Sequence, residues 1–227
     1  MTEAEASLEE RLASVRARVD DAAREASRDA GAITTIVVTK FHPASLVREL
    51  ALLGVRDIGE NRHQDAAPKA AELRDLGLEW HFIGQLQSNK VRAVLEYAGT
   101  IHSVDRESLA SAIESAGIPV EVFLQLNLTD DPARGGVAPG NLLALAERVL
   151  AAPSMLLRGV MAVAPLGEEP RSAFARVREA SERLRGLAPT ADALSMGMSG
   201  DFREAILEGA THLRIGTAIT GNRPAAG

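Results

Sequence analysis

Eight short runs rich in β-branched and apolar residues, each parted from the next by a segment of helical spacing, constrain this chain more than any other feature. The runs span 33–40, 55–61, 80–84, 100–105, 120–127, 156–165, 193–198 and 212–219. Between them apolar residues recur three and four apart, as at Leu46, Leu50 and Leu53 or at Leu142, Leu145 and Val149, the spacing of one face of an α-helix. Strands that alternate with helices build βαβ units and a parallel sheet. Eight of them in 227 residues, with no long linker or shift of composition, predict an α/β fold closed as a (β/α)8 TIM-type barrel. An amphipathic helix over about 5–29, carrying Leu8, Leu12, Val15 and Val19, precedes the first strand. It is expected to fill the outer ring, because no helix is read after the eighth run. The barrel is expected over about 33–221, in one domain covering 1–227 with no second β domain, and with a frayed tail at 223–227.

Composition excludes several classes. A formal charge of −6 offers no basic field for nucleic acid. With no cysteine, disulfides and thiolate metal sites are impossible. The acidic N-terminal stretch lacks a signal-type hydrophobic segment and no run reaches the length of a membrane span. The expectation is a soluble, cytoplasmic protein without membrane partners, and a monomer, since the outer helices have ordinary polar faces.

In an α/β barrel, chemistry gathers at the carboxyl ends of the strands. The first run ends in Lys40, one of only three lysines. An ammonium at the end of a hydrophobic strand sits at the edge of a core, where desolvation favours the neutral, nucleophilic amine; the plain alternative is a lysine that snorkels to solvent. The seventh run passes through Ser199-Gly200-Asp201 into a helix carrying Phe202, Ala205 and Ile206. Unpaired N–H groups at a helix start suit a phosphate, Gly200 permits close approach and Ser199 adds a hydroxyl. Gly216-Thr217 on the eighth run adds a second small residue and hydroxyl, and barrels often bind phosphate after strands seven and eight. Arg214 lies inside an apolar strand; it either pairs with Glu60 or Asp105 or donates to a ligand atom such as a ring nitrogen. A lysine, a phosphate cradle and a ring-facing arginine together describe pyridoxal 5'-phosphate (PLP) held as a Schiff base. His81 is read as a core residue bonded to its neighbours and His42 as a solvated turn residue. The pairs Glu168-Glu169 and Asp130-Asp131 are read as solvated, and no His, Asp or Glu grouping has metal-ligand spacing.

Six segments closely resemble the pyridoxal phosphate homeostasis protein family, the alanine racemase N-terminal-domain-like PLP-binding proteins. They are Val38-Thr-Lys40 with Pro43, Gly59-Glu-Asn61, Trp80-His-Phe-Ile-Gly84-Gln-Leu-Gln-Ser-Asn-Lys90, Ile101-His-Ser-Val-Asp105, Leu194-Ser-Met-Gly-Met-Ser-Gly-Asp201 and Arg214-Ile-Gly-Thr217. They run in the family's order from about Ile33 to Gly221. The resemblance implies a single barrel with PLP at its mouth and Lys40 as the Schiff-base lysine. It implies that Ser199, Gly200, Gly216 and Thr217 hold the phosphate, that Arg214 faces the pyridine nitrogen, and that Asn61 and Ile83 line the ring. It further implies a role in vitamin B6 homeostasis, buffering the cofactor or delivering it to apo-PLP enzymes, with no assigned turnover. Departures are Phe41-His42 after the lysine, Thr220 near the end, and Arg134-Gly-Gly where relatives often show a lysine and one glycine.

The first alternative is a racemase-like PLP enzyme of amino-acid metabolism with low activity. Two-base racemisation needs a proton donor opposite the lysine, and the only tyrosine, Tyr97, belongs to an outer helical segment. The second is a PLP-free aldolase with a Schiff-base lysine, which usually places that lysine on a later strand. The third is a scaffold protein, which needs none of the mouth motifs.

Overall fold

The computed structural model describes residues 6–129, 131 and 134–222. The tail at 223–227 and Asp130 lie outside the described residues. Eight parallel strands close into a barrel in sequence order: β1 (Thr34–Val38), β2 (Asp57–Glu60), β3 (Glu79–Phe82), β4 (Thr100–Val104), β5 (Val120–Gln125), β6 (Met155–Met161), β7 (Ala193–Ser195) and β8 (His212–Ile215). Around them stand α1 (Leu8–Glu25), α2 (Ala44–Leu52), α3 (His63–Glu72), α4 (Val91–Val94), α5 (Glu107–Ala116), α6 (Leu142–Leu150), α7 (Pro170–Leu187), α8 (Phe202–Leu207) and α9 (Thr217–Thr220). The expected eightfold alternation is therefore present.

The N-terminal helix starts later than expected because Ser7 and Glu10 form a capping box at its first turn. Its buried stripe of Leu12, Val15, Val19, Ala22 and Ala23 packs on α8 and α9, and so closes the outer ring behind β8. Two boundaries differ from the sequence reading. β8 stops at Ile215 and a short helix, α9, follows it, so Gly216-Thr217 opens a helix where a strand was expected. Strands β6 and β7 also end several residues early: the apolar stretches 162–165 and 196–198 that follow them run as loop, with Pro165 closing the first and Gly197, at φ 90°, turning the second.

The main apolar core lies between barrel wall and helices, with Ile58, Ile101, Val122, Phe174 and Leu213 among its buried members. Inside the barrel a second, small apolar cluster consists of Phe123, Met161 and Ala193. Three histidines surround it: His102 stacks on the Phe123 ring at 4.5 Å, and His212 meets that ring edge-on at 5.1 Å. His81 is tilted against His102 at 5.3 Å. Barrel interiors are ordinarily filled by layers of branched aliphatic side chains; this one sets three imidazoles around the apolar cluster. The ladder between β4 and β5 shifts between Ile101 and Val104, so His102 and Ser103 together face one β5 position.

Candidate functional site

Lys40 lies two residues beyond β1 in a turn, and its side chain is exposed. This corrects the expectation of an ammonium at the edge of the core: β1 ends at Val38, the buried residue at the junction is Thr39, and the chain has turned outward by Lys40. No desolvation argument applies to it. Its Nζ stands 6.0 Å from the ring of Phe41, which holds φ at 69°, a strained left-handed conformation for a bulky residue. The turn is clamped from behind. Thr39 Oγ1 donates to Glu60 Oε1 at 2.7 Å, and Lys69 Nζ donates to the same oxygen at 2.6 Å and to the Thr39 carbonyl at 2.9 Å. The buried lysine of this chain is Lys69, on α3, and it is paired. His42, expected to be solvated, is also buried, and burial with the nearby cations Lys69 and Arg11 lowers its pKa.

The other expected residues fall at the same carboxyl end. β1 pairs with β2 through Val38 and Gly59 and with β8 through Val37 and Ile215. A Cβ on Gly216 would lie 3.6 Å from Val38 Cβ, so the loop after β8 rests against the strand that leads to Lys40. Ser199 is joined to that loop, its Oγ accepting from the Ala218 N–H at 3.2 Å. The backbone N–H groups of Ser199, Gly200, Gly216 and Thr217 have no acceptor among the described residues. A Cβ on Gly200 would meet nothing within 4 Å; the open space beside it, not tight protein packing, is what this glycine contributes. The Asp201 carboxylate takes the Met198 N–H at 2.6 Å and shapes the loop.

Asn61 follows β2, and its Oδ1 is buried without a hydrogen-bond partner. Its carbonyl presses on Gly84, where an added Cβ would come within 2.2 Å of it. Ile83, whose N–H donates to the Glu60 carbonyl at 2.8 Å, sits beside them. The expected residues thus group around one mouth, except Arg214, which lies below it in the barrel interior, 4% exposed. Neither carboxylate first considered as its partner reaches it: Glu60 binds Lys69, and Asp105 binds Arg106. Arg214 Nη1 donates to Ser195 Oγ at 2.8 Å and Nη2 to the Ala162 carbonyl at 2.9 Å. Burial lowers its pKa to about 10, against the attraction of Asp201.

Sequence reasoning overlooked Lys69, Ser195 and His102. The first is nine residues from Glu60 and thirty from Thr39, a pairing that no local pattern displays. The others lie in segments that carry the family resemblance, at 101–105 and 194–201, but nothing local assigns them a role. The signal available was three histidines, at 81, 102 and 212, each within a strand run.

The parallel eight-stranded barrel thus carries an amine and acceptor-free backbone N–H groups at its carboxyl end and a buried arginine beneath them, and the comparisons give its kind. The family described as alanine racemase, N-terminal domain, matches residues 11–224. A pyridoxal phosphate homeostasis protein of Pseudomonas aeruginosa is 46% identical over 221 residues, covering 94% of this chain and 95% of that protein. PipY of Synechococcus elongatus, solved with PLP bound, superposes with a TM-score of 0.83 at 38% identity, covering 95% of this chain and 100% of that one. The alanine racemase of Corynebacterium glutamicum shares the fold, with a TM-score of 0.69 at 18% identity, over 95% of this chain and 62% of that one. The chain belongs to the alanine racemase N-terminal domain family and, within it, to the pyridoxal phosphate homeostasis proteins.

Proposed function

We propose that this protein binds PLP and serves its homeostasis in the cytoplasm, as a monomer that buffers the cofactor or passes it to apo-PLP enzymes. The observation that carries the reading is the set of four acceptor-free N–H groups at Ser199, Gly200, Gly216 and Thr217, on loops tied to each other and resting against the strand that leads to Lys40. An anion with several oxygens matches them, and the hydroxyls of Ser199 and Thr217 stand on the same loops. The unpartnered Asn61 Oδ1 supports a ligand beside the ring-lining residues.

When bound, the cofactor supplies an aldehyde that an amine can capture and a ring that can withdraw electrons. Lys40 is the amine in reach of solvent at this mouth, on a turn held by Thr39, Glu60 and Lys69. Arg214 would meet the ring nitrogen and, as a cation, disfavour its protonation. That weakens the ring as an electron sink and suits holding over turnover. Tyr97, the only tyrosine, has its hydroxyl buried without a partner and its ring against Trp80 and His63, and burial with the Glu60 charge raises its pKa, which disfavours the proton exchange that two-base racemisation needs. Of the exposed large apolar residues, the three with the greatest exposure, Leu52, Leu156 and Leu166, lie on separate elements, which supports a monomer. Among the described residues no helix is long and apolar enough to cross a membrane.

The test is the visible spectrum of protein mixed with PLP, wild type beside Lys40→Ala, followed by borohydride reduction. Wild type should turn yellow and carry a pyridoxyl group on Lys40, and the variant should not. Colourless wild type after soaking would sink the reading. Transfer of the bound cofactor to an apo-enzyme in a trap assay tests the delivery arm.

A further inference from the structure

A continuous hydrogen-bonded chain crosses the barrel interior from its floor to Arg214. Asp57, at the first position of β2, opens on a cavity of about 340 Å³ between α1 and the barrel floor. Its Oδ1 lies 3.1 Å from His81 Nε2; His81 Nδ1 lies 3.1 Å from His102 Nε2; His102 Nδ1 lies 2.9 Å from Ser195 Oγ. Ser195 Oγ in turn accepts from Arg214 Nη1 at 2.8 Å. His102 and Ser195 are fully buried. The imidazoles do not converge on a metal: among the described residues no three ligand-type side chains group as a metal site, and each ring nitrogen of His81 and His102 has one neighbour in the chain.

The direction of every hydrogen follows from its ends. A guanidinium can only donate and an ionised carboxylate can only accept. Asp57 therefore takes a hydrogen from His81 Nε2. In a neutral His81 the other nitrogen is then bare and accepts from His102 Nε2–H. His102 Nδ1 is bare in its turn and accepts the Ser195 hydroxyl hydrogen, leaving that oxygen to accept from Arg214. The opposite polarity, with a charged His81 and His102 donating from Nδ1, would leave the Ser195 hydrogen with no acceptor among the described residues. Burial above all, and the Arg214 cation, push the His102 pKa well down, which favours its neutral form. All four bonds point from Arg214 towards Asp57, so each polarises the next.

Arg214 needs this. It is a buried cation that no carboxylate contacts among the described residues, a costly arrangement unless its charge is met otherwise. We propose that Asp57, His81, His102 and Ser195 are positioning residues for Arg214, a relay that brings the charge of a floor carboxylate to bear on the guanidinium at the cofactor ring. The inference rests on the reading that Arg214 meets the ring of bound PLP. Ser195 is made a better acceptor by the chain behind it, and it fixes one edge of the guanidinium while the Ala162 carbonyl fixes the other.

The test uses the full chain and two kinds of measurement. Nitrogen-15 NMR of the imidazoles should show Nε2–H on both His81 and His102; Nδ1–H on His102 would overturn the relay. Asp57 is partly exposed, so Asp57→Asn should fold. It should raise the dissociation constant for PLP about threefold to tenfold and shift the absorption band of the bound cofactor, on the scale of one weakened charge-assisted hydrogen bond. Ser195→Ala should do the same or more, Asp57→Glu should restore both readouts, and borohydride should still fix the cofactor on Lys40 in all three. Unchanged affinity and band in Asp57→Asn and Ser195→Ala refute the positioning role. Wild type that takes up no PLP refutes the proposed function and with it the cofactor side of the relay, whereas the tautomers report on the hydrogen-bonded chain in either case, so the two failures are distinguishable.

Discussion

Lys69 Nζ lies 2.6 Å from Glu60 Oε1, both side chains nearly sealed from solvent, so the buried ammonium of this protein stands behind the Lys40 turn and not in it. Truncating one partner of such a pair leaves the other as an uncompensated buried charge. Lys69→Met should therefore destabilise the protein by about 3–5 kcal/mol in urea unfolding. Glu60 already has one oxygen, Oε2, without a partner, so the double variant Glu60→Gln, Lys69→Met should recover much of the loss. Because Lys69 also holds the Thr39 carbonyl, the single variant should bind PLP more weakly even where it remains folded.

Lys40 carries the opposite expectation. It is exposed, and among the described residues it makes no ion pair or hydrogen bond. Lys40→Ala should leave the unfolding free energy within about 0.5 kcal/mol of wild type while abolishing borohydride fixation of PLP. A loss of stability comparable to that of Lys69→Met would mean that the lysine has a structural role the geometry does not show.

The contrast between these lysines marks how far the residues speak without coordinates. The strand and helix alternation is legible because hydrophobic periodicity is local, and the mouth residues follow from counting strand ends. Where a strand stops is less local. The run from Ile33 to Thr39 is β-branched or apolar throughout, yet the strand ends at Val38, because the Thr39 carbonyl is taken by the His42 N–H and Lys69 Nζ and the chain turns there. Lys69 looks like a helix-surface residue until α3 packs across β2. Of the interior histidines only His81 reads as core, and only the closure of the barrel brings β2, β3, β4 and β7 near enough to join the chain through His81 and His102.

Gly84 should tolerate no side chain. A Cβ there would lie 2.2 Å from the Asn61 carbonyl oxygen and 2.8 Å from its Cα, and these are backbone atoms that cannot rotate aside. Gly84→Ala should cost about 1–3 kcal/mol through the backbone shift it forces. The shift moves Asn61, so PLP affinity should fall as well. Gly200→Ala is the control in the same mouth: its Cβ would meet open space in the protein, so stability should hold while PLP binding weakens if the phosphate comes close to that backbone.

Stability should fall on mild acidification because the barrel interior buries neutral imidazole. Burial first, with cations such as Arg158 nearby, lowers His212 from the usual 6.5 to about 4, and His102 is likewise lowered, chiefly by burial and also by Arg214. Above pH 6.5 these residues are neutral in folded and unfolded chain alike, and they add no slope. Between 6.5 and about 4 the unfolded chain takes up a proton at His212 that the folded chain refuses, so stability drops as pH falls; below about 4 that contribution levels off. The loss from His212 alone is capped at roughly 3 kcal/mol, and His102 adds to it with the same sign. Urea midpoints measured at pH 7, 5.5 and 4.5 should descend in that order. His212→Asn should flatten the descent, since the amide can still meet the Thr211 hydroxyl that His212 Nδ1 contacts at 2.8 Å but has no proton to gain in this range. A wild-type midpoint that does not change between pH 7 and 4.5 would mean that the interior imidazoles accept protons without loss of stability, against the burial that lowers His212 and His102.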